Sequence, residues 1–330
     1  MDLHGRSLLK EIDFTAGEFT DLIDLGARLR LQKHLGERAH RLAGRNIALI
    51  FEKASTWTRS AIEVAAHDEG AHVTYLGHEE PRLGLTEPLK DTARVLGRMY
   101  DGIVYLGTDQ SSVETLGAYA GVPVWNGRTD HWHPTQVLAD MLTMRDHCPG
   151  KPLTEISYCY LGDGRNNIAN SLLATGTLLG MDVRICAPAR LQPSANVQAF
   201  ASWYGSPFLV TDDVAEAVRG ADFLYTDVWL STDEPHEQWD ERIDLLLPYQ
   251  VNGAVIAATG NPDVKFMHCL PALRNRETEI GQMLCDKHGL CALEVTEDVF
   301  ESPASIVFDQ AENQLHAIKA VMVATAGDPV

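Results

Sequence analysis

Short apolar runs rich in β-branched residues alternate with amphipathic stretches along almost the whole chain, and this alternation constrains the fold more than any other feature. Strands that alternate with helical stretches predict βαβ units, in which crossover helices connect parallel strands. The predicted strands are 46–52, 72–76, 102–106 and 123–125 in the first half, and 155–161, 182–186, 207–210, 223–226, 264–268 and 291–294 in the second. The clearest predicted helices are 58–69, 88–99, 112–120, 134–147 and 310–324.

A length of 330 residues is sufficient for two domains, each with its own hydrophobic core. We therefore predict an α/β fold with two doubly wound parallel-sheet domains joined by bridging helices. The first domain is expected to span 1–133 and the second 134–309, and the helix within 310–330 is expected to pack back on the first domain. Ligands of open α/β sheets bind beyond the carboxyl ends of the strands, so the active site is predicted in the cleft between the domains.

The formal net charge of −19 argues against nucleic acid and anionic membranes as partners, because both require a basic surface. No window approaches the roughly 20 apolar residues that span a bilayer, and the N-terminus contains no apolar run of signal-peptide length, so a cytoplasmic protein is predicted. The six cysteines form no CxxC pair and are predicted to be reduced, mostly buried thiols. Neither a metal ion nor a cofactor is predicted.

Two motifs in the first half of the chain are suited to an oxyanion. A strand leads into a run that contains Ser55, Thr56 and Thr58, and then into a helix, whose first N–H groups and positive dipole end face whatever binds there. The same hydroxyls could be ordinary helix caps. His133 and Gln136 open the predicted bridging helix, where an imidazole can donate to a carbonyl oxygen and an amide can both donate and accept. Alternatively, His133 only precedes the proline that starts this helix.

Three motifs in the second half are suited to an amino acid. Asn167 follows a strand and a glycine turn that is not GxGxxG and has no acidic residue at the ribose-reading position, so a dinucleotide is rejected. Asn167 could instead bind an α-carboxylate or an α-amine. Asp227 ends an apolar strand, where a carboxylate suits an α-ammonium group. Cys269 ends a strand just before Leu270 and a proline, a place where cysteine is more often a packing residue than a reactive one.

The motifs occur in one order across nearly the full chain, namely an STxTR run, HPTQ, DxRNN, DVW, HCLP and a final FDQAEN segment. In this order and spacing the chain resembles ornithine carbamoyltransferase, within the aspartate/ornithine carbamoyltransferase family. The resemblance implies transfer to the side-chain amine of ornithine or a close analogue, with citrulline-type chemistry and with no metal or covalent intermediate. It also implies a homotrimer, or a multiple of trimers, with sites shared between subunits.

The resemblance assigns roles to individual residues. Ser55, Thr56 and Thr58 would hold carbamoyl phosphate in the first domain, and His133 and Gln136 would contact its carbamoyl group. In the second domain Asn167, Asp227 and Ser231 would hold the α-amino and α-carboxylate groups, with Cys269 and the Leu270 carbonyl near the reacting amine. The full set of candidates is His133, Gln136, Cys269 and Arg59 for catalysis, and Ser55, Thr56, Trp57, Thr58, Asn167, Asp227, Ser231, Thr232, Leu270, Gln314, Arg82 and Arg128 for binding.

The phosphate side departs from the family pattern. Trp57, Leu106 and Gln314 occupy the positions of three arginines that are the family's main charged contacts to carbamoyl phosphate. A hydrogen bond to a charged group is worth about 1.5–3 kcal/mol, so three uncompensated losses would cost roughly 5–9 kcal/mol. That corresponds to roughly 10³- to 10⁶-fold in affinity. New arginines stand at positions 82, 128 and 274, where they are either a reshaped donor pocket or surface variation.

Three hypotheses follow for the function. The chain is a working carbamoyltransferase for ornithine or a close analogue, in which Arg59, Arg82 and Arg128 compensate for the lost arginines. Alternatively, it binds an ornithine-like or citrulline-like amino acid but uses a different, non-phosphorylated second substrate. The third hypothesis is a non-catalytic paralogue that binds an amino acid. The expected partners are a small-molecule amino acid, with carbamoyl phosphate left open as the second ligand.

Overall fold

The computed structural model describes residues 2–77, 87–230 and 239–327. Contacts between Cα atoms divide the chain into two compact units. Unit 1 comprises Met1–Asp146 and Glu312–Val330, and unit 2 comprises His147–Ala311. The described part of the chain contains no helix that is long and apolar enough to cross a membrane.

Unit 1 contains a four-stranded sheet with the strand order β2-β1-β3-β4, and every pairing in it is parallel. In chain order its elements are α1 (Ala16–His34), β1 (Asn46–Phe51), α2 (Thr56–Asp68), β2 (His72–Leu76), α3 (Leu89–Leu96), β3 (Gly102–Leu106), α4 (Gln110–Tyr119), β4 (Val124–Arg128) and α5 (Pro134–His147). A short 3₁₀ turn at Glu11–Asp13 precedes α1.

Unit 2 contains a five-stranded sheet with the strand order β7-β6-β5-β8-β9, again with every pairing parallel. Its elements are β5 (Ser157–Leu161), α6 (Asn167–Leu178), β6 (Asp182–Cys186), α7 (Ala195–Trp203), β7 (Phe208–Thr211), α8 (Val214–Val218), β8 (Phe223–Thr226), α9 (Trp239–Leu246), α10 (Gly253–Ala258), β9 (Lys265–His268), α11 (Glu279–His288) and α12 (Glu297–Phe300). Further 3₁₀ turns lie at Leu153–Glu155, Ala189–Leu191 and Leu247–Tyr249. The last helix, α13 (Val307–Ala326), begins in unit 2 and continues in unit 1.

The two parallel sheets confirm the predicted fold class. In each sheet, helices connect the strands, as the crossovers between parallel strands require. The interior strands β3, β5 and β8 are buried along their whole length, as expected for strands covered on both faces. In unit 1 the apolar cluster around Ile103 and Tyr105 fills one face of the sheet, and in unit 2 Cys159, Leu224 and Phe266 share another cluster.

Two elements differ from the sequence-based expectation. Helix α1 was not predicted, although Thr15 and Glu18 form a complete capping box at its start. The predicted strand 291–294 is wrong, because these residues adopt irregular structure, in which buried Glu294 accepts a hydrogen bond from the backbone N–H of Leu273. Periodicity alone does not separate a buried irregular segment from a strand.

The cysteines also differ in part from expectation. Cys159 and Cys186 are buried free thiols, and burial raises the pKa of Cys186 to about 12. Cys285 and Cys291, by contrast, are joined by a disulfide, so the prediction of reduced thiols is wrong for this pair.

Candidate functional site

The strand order of each sheet reverses at one place, and ligands of open α/β folds bind beyond the carboxyl ends of the strands at such a switch point. In unit 1 the switch lies between β1 and β3, whose ends lead to Ser55 and to Leu106. In unit 2 it lies between β5 and β8, whose ends lead to Asp163 and Asp227. The run around Ser55 and the residues Asn167 and Asp227 therefore follow strands at these switch points, whereas His133 follows β4 and Cys269 follows β9.

The N-terminus of α2 carries the hydroxyl cluster of unit 1. Ser55 is the N-cap residue in extended conformation, yet its side chain does not cap the helix. Within the described residues, Thr56 and Thr58 make no side-chain hydrogen bond either, and Thr58 is buried. Because Ser55 does not cap its own helix, the first N–H groups of α2 stay available to an anion.

Trp57 lies in the same first turn of α2 and is 64% exposed. An exposed indole at a helix N-terminus is unusual for a side chain of this size, because burying an aromatic ring is strongly favourable. Leu106, at the end of β3, has the opposite environment and is 1% exposed. Neither side chain can donate a charged hydrogen bond to a phosphate.

Arg59, predicted to be catalytic, is held on the surface of α2. Its Nε donates to the Glu63 carboxylate at 2.8 Å, one helical turn away, and its guanidinium lies 3.7 Å from the centre of the Tyr75 ring. The hydrogen bond to Glu63 raises the pKa of Arg59, so the charge is permanent. In this conformation the guanidinium is bound to protein groups.

His133 precedes α5 and is buried, with its backbone carbonyl accepting from the N–H groups of Gln136 and Val137, each at 3.1 Å. Burial, together with the nearby positive charge of Arg128, lowers the pKa of His133 to about 3. The imidazole is therefore neutral at physiological pH and carries one N–H donor. Arg128 itself ends β4, and its buried Nε makes no hydrogen bond within the described part of the chain.

Gln136 is fixed at both ends of its amide. Its Nε2 donates to the Asp140 carboxylate at 2.8 Å, and its Oε1 accepts from Nε2 of Gln314 at 2.9 Å. All three side chains are buried. The side chain of Gln314 thus holds Gln136 in place, and the second N–H of the Gln136 amide remains for a ligand.

The switch point of unit 2 gathers polar side chains around Asp227. Oδ2 of this buried carboxylate accepts from Nδ2 of Asn166 at 3.1 Å, and Oδ1 accepts from the Cys269 thiol at 3.0 Å. Asn166 also donates to the Tyr160 hydroxyl at 2.8 Å and caps α6 by accepting from the N–H of Ala169. Burial and the neighbouring Asp227 raise the pKa of Tyr160 well above its usual value.

An ion pair between Arg242 and Asp163 supports this edge of the sheet. Arg242 donates to Oδ2 of Asp163 at 2.5 Å and also to the backbone carbonyl of Trp229. Oδ1 of Asp163 accepts from the N–H of Arg165 at 2.9 Å, which shapes the turn before α6. Asn167, the first residue of α6, is half-buried beside this turn.

The end of β9 holds the third part of the unit 2 site. Nδ1 of buried His268 accepts from the N–H of Leu270 at 2.9 Å, and its Nε2 lies 3.6 Å from the Glu294 carboxylate. Leu270 has a φ of 51°, which is uncommon for a residue with a side chain. Asp227, His268 and Cys269 bring three potential metal-ligand atoms within 4.8 Å of one another.

Two family models match this chain. The model described as the carbamoyl-P binding domain of aspartate/ornithine carbamoyltransferase matches residues 6–146, and the model described as the Asp/Orn binding domain matches residues 154–325. The chain belongs to the aspartate/ornithine carbamoyltransferase family.

Solved structures of family members are similar over the full length. An ornithine carbamoyltransferase from Pyrococcus furiosus is 38% identical with a TM-score of 0.90, and the match covers 100% of both chains. One from Gloeobacter violaceus is 35% identical with a TM-score of 0.81, covering 99% of this chain and 100% of that one. One from Thermus thermophilus is 35% identical with a TM-score of 0.80, covering 96% and 97%. The resemblance expected from the motif order is thereby confirmed.

Several predicted residues lie outside what the structure describes or have another partner. Arg82, Ser231 and Thr232 fall outside the described residues. Arg274 lies against the Phe300 ring at 3.7 Å and pairs with Glu297 at 2.9 Å, so its charge is already engaged. Arg128 lies close enough to His133 for its charge to lower the pKa of that imidazole.

Sequence reasoning missed four residues that hold the family motifs in place. Asn166 and Tyr160 position Asp227, Asp140 fixes Gln136, and Arg242 anchors Asp163. Asn166 carried a signal, since Asn directly before an apolar helix is a typical N-cap. Asp140 also carried one, since it stands four residues after Gln136 on the same helix. Tyr160 and Arg242 gave none, because packing decides which side chains they meet.

Proposed function

We propose that this chain is a transferase that delivers a carbamoyl-type group to the side-chain amine of ornithine or a close analogue. The observation that carries the proposal is the Asp227 carboxylate, which is buried at the switch point of unit 2 and bonded to both Asn166 and Cys269. A carboxylate held in a fixed direction at low exposure is well suited to an α-ammonium group, because charge-assisted hydrogen bonds strengthen as water is excluded.

The other contacts to the amino acid follow from this placement. Asn167 is the first residue of α6, so an α-carboxylate there would meet both its amide and the positive end of a 12-residue helix. The Cys269 thiol donates to the same Asp227 carboxylate. Cys269 and the carbonyl of Leu270 would lie near the amine at the end of the bound amino acid's side chain. Ser231, proposed to complete this set, lies outside the described residues.

In the proposed reaction the neutral side-chain amine attacks the carbamoyl carbon with its lone pair. A C–N bond forms and the carbonyl oxygen takes the negative charge of a tetrahedral intermediate. The C=O bond then re-forms as the leaving group departs with its bonding electron pair, and the proton lost by the amine passes to this departing anion. The neutral imidazole of His133 and the remaining N–H of Gln136 would donate to the developing oxyanion. Since both side chains are buried and Gln136 is held from two sides, little reorganisation is needed at that moment.

A different, non-phosphorylated donor is the second candidate function, and three observations on unit 1 favour it. Leu106 is apolar and buried, Gln314 is neutral and engaged with Gln136, and Trp57 presents an exposed ring at the N-terminus of α2. An aromatic face suits a flat, weakly charged group better than a phosphate. Carbamoyl phosphate is supported by the free first turn of α2 and by Arg128 beside His133.

The acceptor is tested by measuring citrulline formation from ornithine and carbamoyl phosphate with purified protein, and ligand binding by thermal shift. Ornithine or citrulline should raise the melting temperature of the protein, and Asp227→Asn should remove that rise. Asp263→Asn, an exposed carboxylate elsewhere in unit 2, serves as the matched control. If neither amino acid stabilises the protein and no carbamoylated product forms, the proposed acceptor class is wrong.

The donor is tested separately with the same protein. Turnover with carbamoyl phosphate assigns the phosphorylated donor. Turnover with a non-phosphorylated carbamoyl donor, but not with carbamoyl phosphate, and no stabilisation by phosphate assigns the non-phosphorylated one. A triple variant with arginine at positions 57, 106 and 314 should gain phosphate binding in the second case. Amino-acid binding with no turnover for any carbamoyl donor would identify a non-catalytic binding protein.

We also propose a homotrimer, or a multiple of trimers, as the assembly. Family membership supports this proposal, since the family pattern places sites at subunit boundaries. Size-exclusion chromatography with light scattering measures the mass directly. A mass of one 36.3 kDa chain would contradict it.

A further inference from the structure

Three potential metal ligands meet in unit 1, on the helices α1 and α13. His34 is the last residue of α1, and Glu312 and His316 are one turn apart on α13. One ligand atom from each lies within 4.8 Å of the other two. Glu312 belongs to the FDQAEN segment, but none of the three residues is among the candidate catalytic or binding residues.

His316 is the residue that points to a missing partner. Its side chain is 1% exposed, and neither ring nitrogen makes a hydrogen bond within the described part of the chain. The nearest oxygen, Oε1 of Glu312, is 3.5 Å away, which is too long for a good hydrogen bond. A buried, unsatisfied imidazole is costly and uncommon in native proteins, and a metal ion is one of the groups that satisfies it.

The distances around Glu312 fit a shared ion. Nε2 of His34 lies 2.8 Å from Oε1 of Glu312, and Nε2 of His316 lies 3.5 Å from the same oxygen. Ligands about 2.0–2.1 Å from a tetrahedral ion are separated by about 3.3 Å, and these two distances lie within about half an ångström of that value. The ligand atoms of His34 and His316 lie within 4.8 Å of each other. His34 and Glu312 are exposed, which leaves room for water as the fourth ligand.

We propose that His34, Glu312 and His316 bind a divalent transition-metal ion of the zinc type. Two imidazoles and one carboxylate are a common donor set for such ions and a poor one for Ca²⁺ or Mg²⁺, which prefer oxygen. An imidazole binds such an ion through the lone pair of a ring nitrogen, and both ring nitrogens of His316 lack a hydrogen bond within the described residues.

The neighbouring cations are already neutralised by carboxylates. Nζ of Lys319 is 2.7 Å from Oδ2 of Asp68, and the guanidinium of Arg30 is 2.5 Å from Oδ2 of Asp146. The electrostatic cost of adding a divalent ion is thereby reduced.

The ion would connect His34, at the end of α1, to two residues of α13 that flank Gln314. Glu312 and His316 each stand two residues from Gln314, whose side chain holds Gln136. Bound metal would therefore stabilise the part of α13 that supports the predicted catalytic amide. The site itself does not depend on the proposed function, because it uses none of the substrate residues.

Metal binding to the full-length protein tests the proposal, with Zn²⁺ by calorimetry and with Co²⁺ by visible spectroscopy. The experiment uses a Cys269→Ser background, since the Asp227–His268–Cys269 group could bind a second ion. We expect one ion per chain, with weak Co²⁺ d–d bands and no thiolate charge-transfer band. His34→Ala and Glu312→Gln should each weaken binding by about tenfold or more.

The control is His147→Ala. The imidazole of His147 also lies beside a carboxylate, 2.9 Å from Asp309, but it belongs to no three-ligand group among the described residues. It should leave the stoichiometry and affinity unchanged. His34 is an exposed side chain, so its loss should not prevent folding, and His316→Asn provides an independent second variant. The proposal is overturned if the background protein binds no ion, or if His34→Ala and Glu312→Gln bind it as tightly as the background.

Discussion

Replacing His133 with asparagine should flatten the dependence of stability on pH. In the folded protein burial and Arg128 lower the pKa of His133 to about 3, whereas an unfolded imidazole titrates at its ordinary value of 6.5. The unfolded state therefore binds more protons between these values, so the contribution of His133 to stability is fully present above pH 6.5 and is lost as pH falls toward 3. On acidification from pH 8 to pH 5, the free energy of unfolding falls over the interval of about 1.5 pH units that lies below the unfolded pKa. At about 1.36 kcal/mol per unit, His133 accounts for a loss of about 2 kcal/mol.

Urea unfolding at pH 8 and at pH 5 measures this difference. The wild-type free energy of unfolding should fall by about 2 kcal/mol more than that of His133→Asn over this interval. His67→Asn, which removes an exposed histidine of α2, controls for the loss of an imidazole as such. If His133→Asn and the wild type lose the same free energy on acidification, the imidazole is not held neutral by burial and the reasoning about its donor role fails.

Three further changes test individual contacts. Asp68→Asn leaves the buried ammonium of Lys319 without its carboxylate and should lower the free energy of unfolding by about 3–5 kcal/mol, measured by urea denaturation. Gln314→Leu removes the donor to Oε1 of buried Gln136 and should cost about 1–3 kcal/mol in the same assay; a neutral effect would show that this contact is not formed. Asp227→Asn should weaken amino-acid binding about 10- to 150-fold, from a charged hydrogen bond worth about 1.5–3 kcal/mol, and unchanged affinity in a calorimetric titration would place the α-ammonium group elsewhere.

The two halves of the predicted site differ in what the structure adds to them. In unit 2 the structure brings the predicted Asp227 and Cys269 into direct contact. In unit 1 the amide of Gln314 holds Gln136 in a buried network with Asp140. The neutral Gln314 thus supports a residue that the sequence analysis predicts to be catalytic.

Much of the fold could be predicted because local signals and tertiary structure agree. The strands His72–Leu76 and Gly102–Leu106 and the helix Pro134–His147 have the predicted bounds. Helix α1 was also within reach, since its capping box is a local signal. Arg59 could be placed on α2 from the sequence, but its contact with the Tyr75 ring depends on the neighbouring strand.

The sequence by itself determined the alternation of strands and helices and the order of the family motifs. Only the tertiary structure decided which side chains meet. Asn166 reaches Asp227 because β5 and β8 are neighbours in the sheet, although β6 and β7 lie between them in the chain. Gln314 reaches Gln136 across 178 positions for a similar reason. Such contacts depend on how parallel strands are ordered and where the last helix packs, and no local pattern of residue types contains that information.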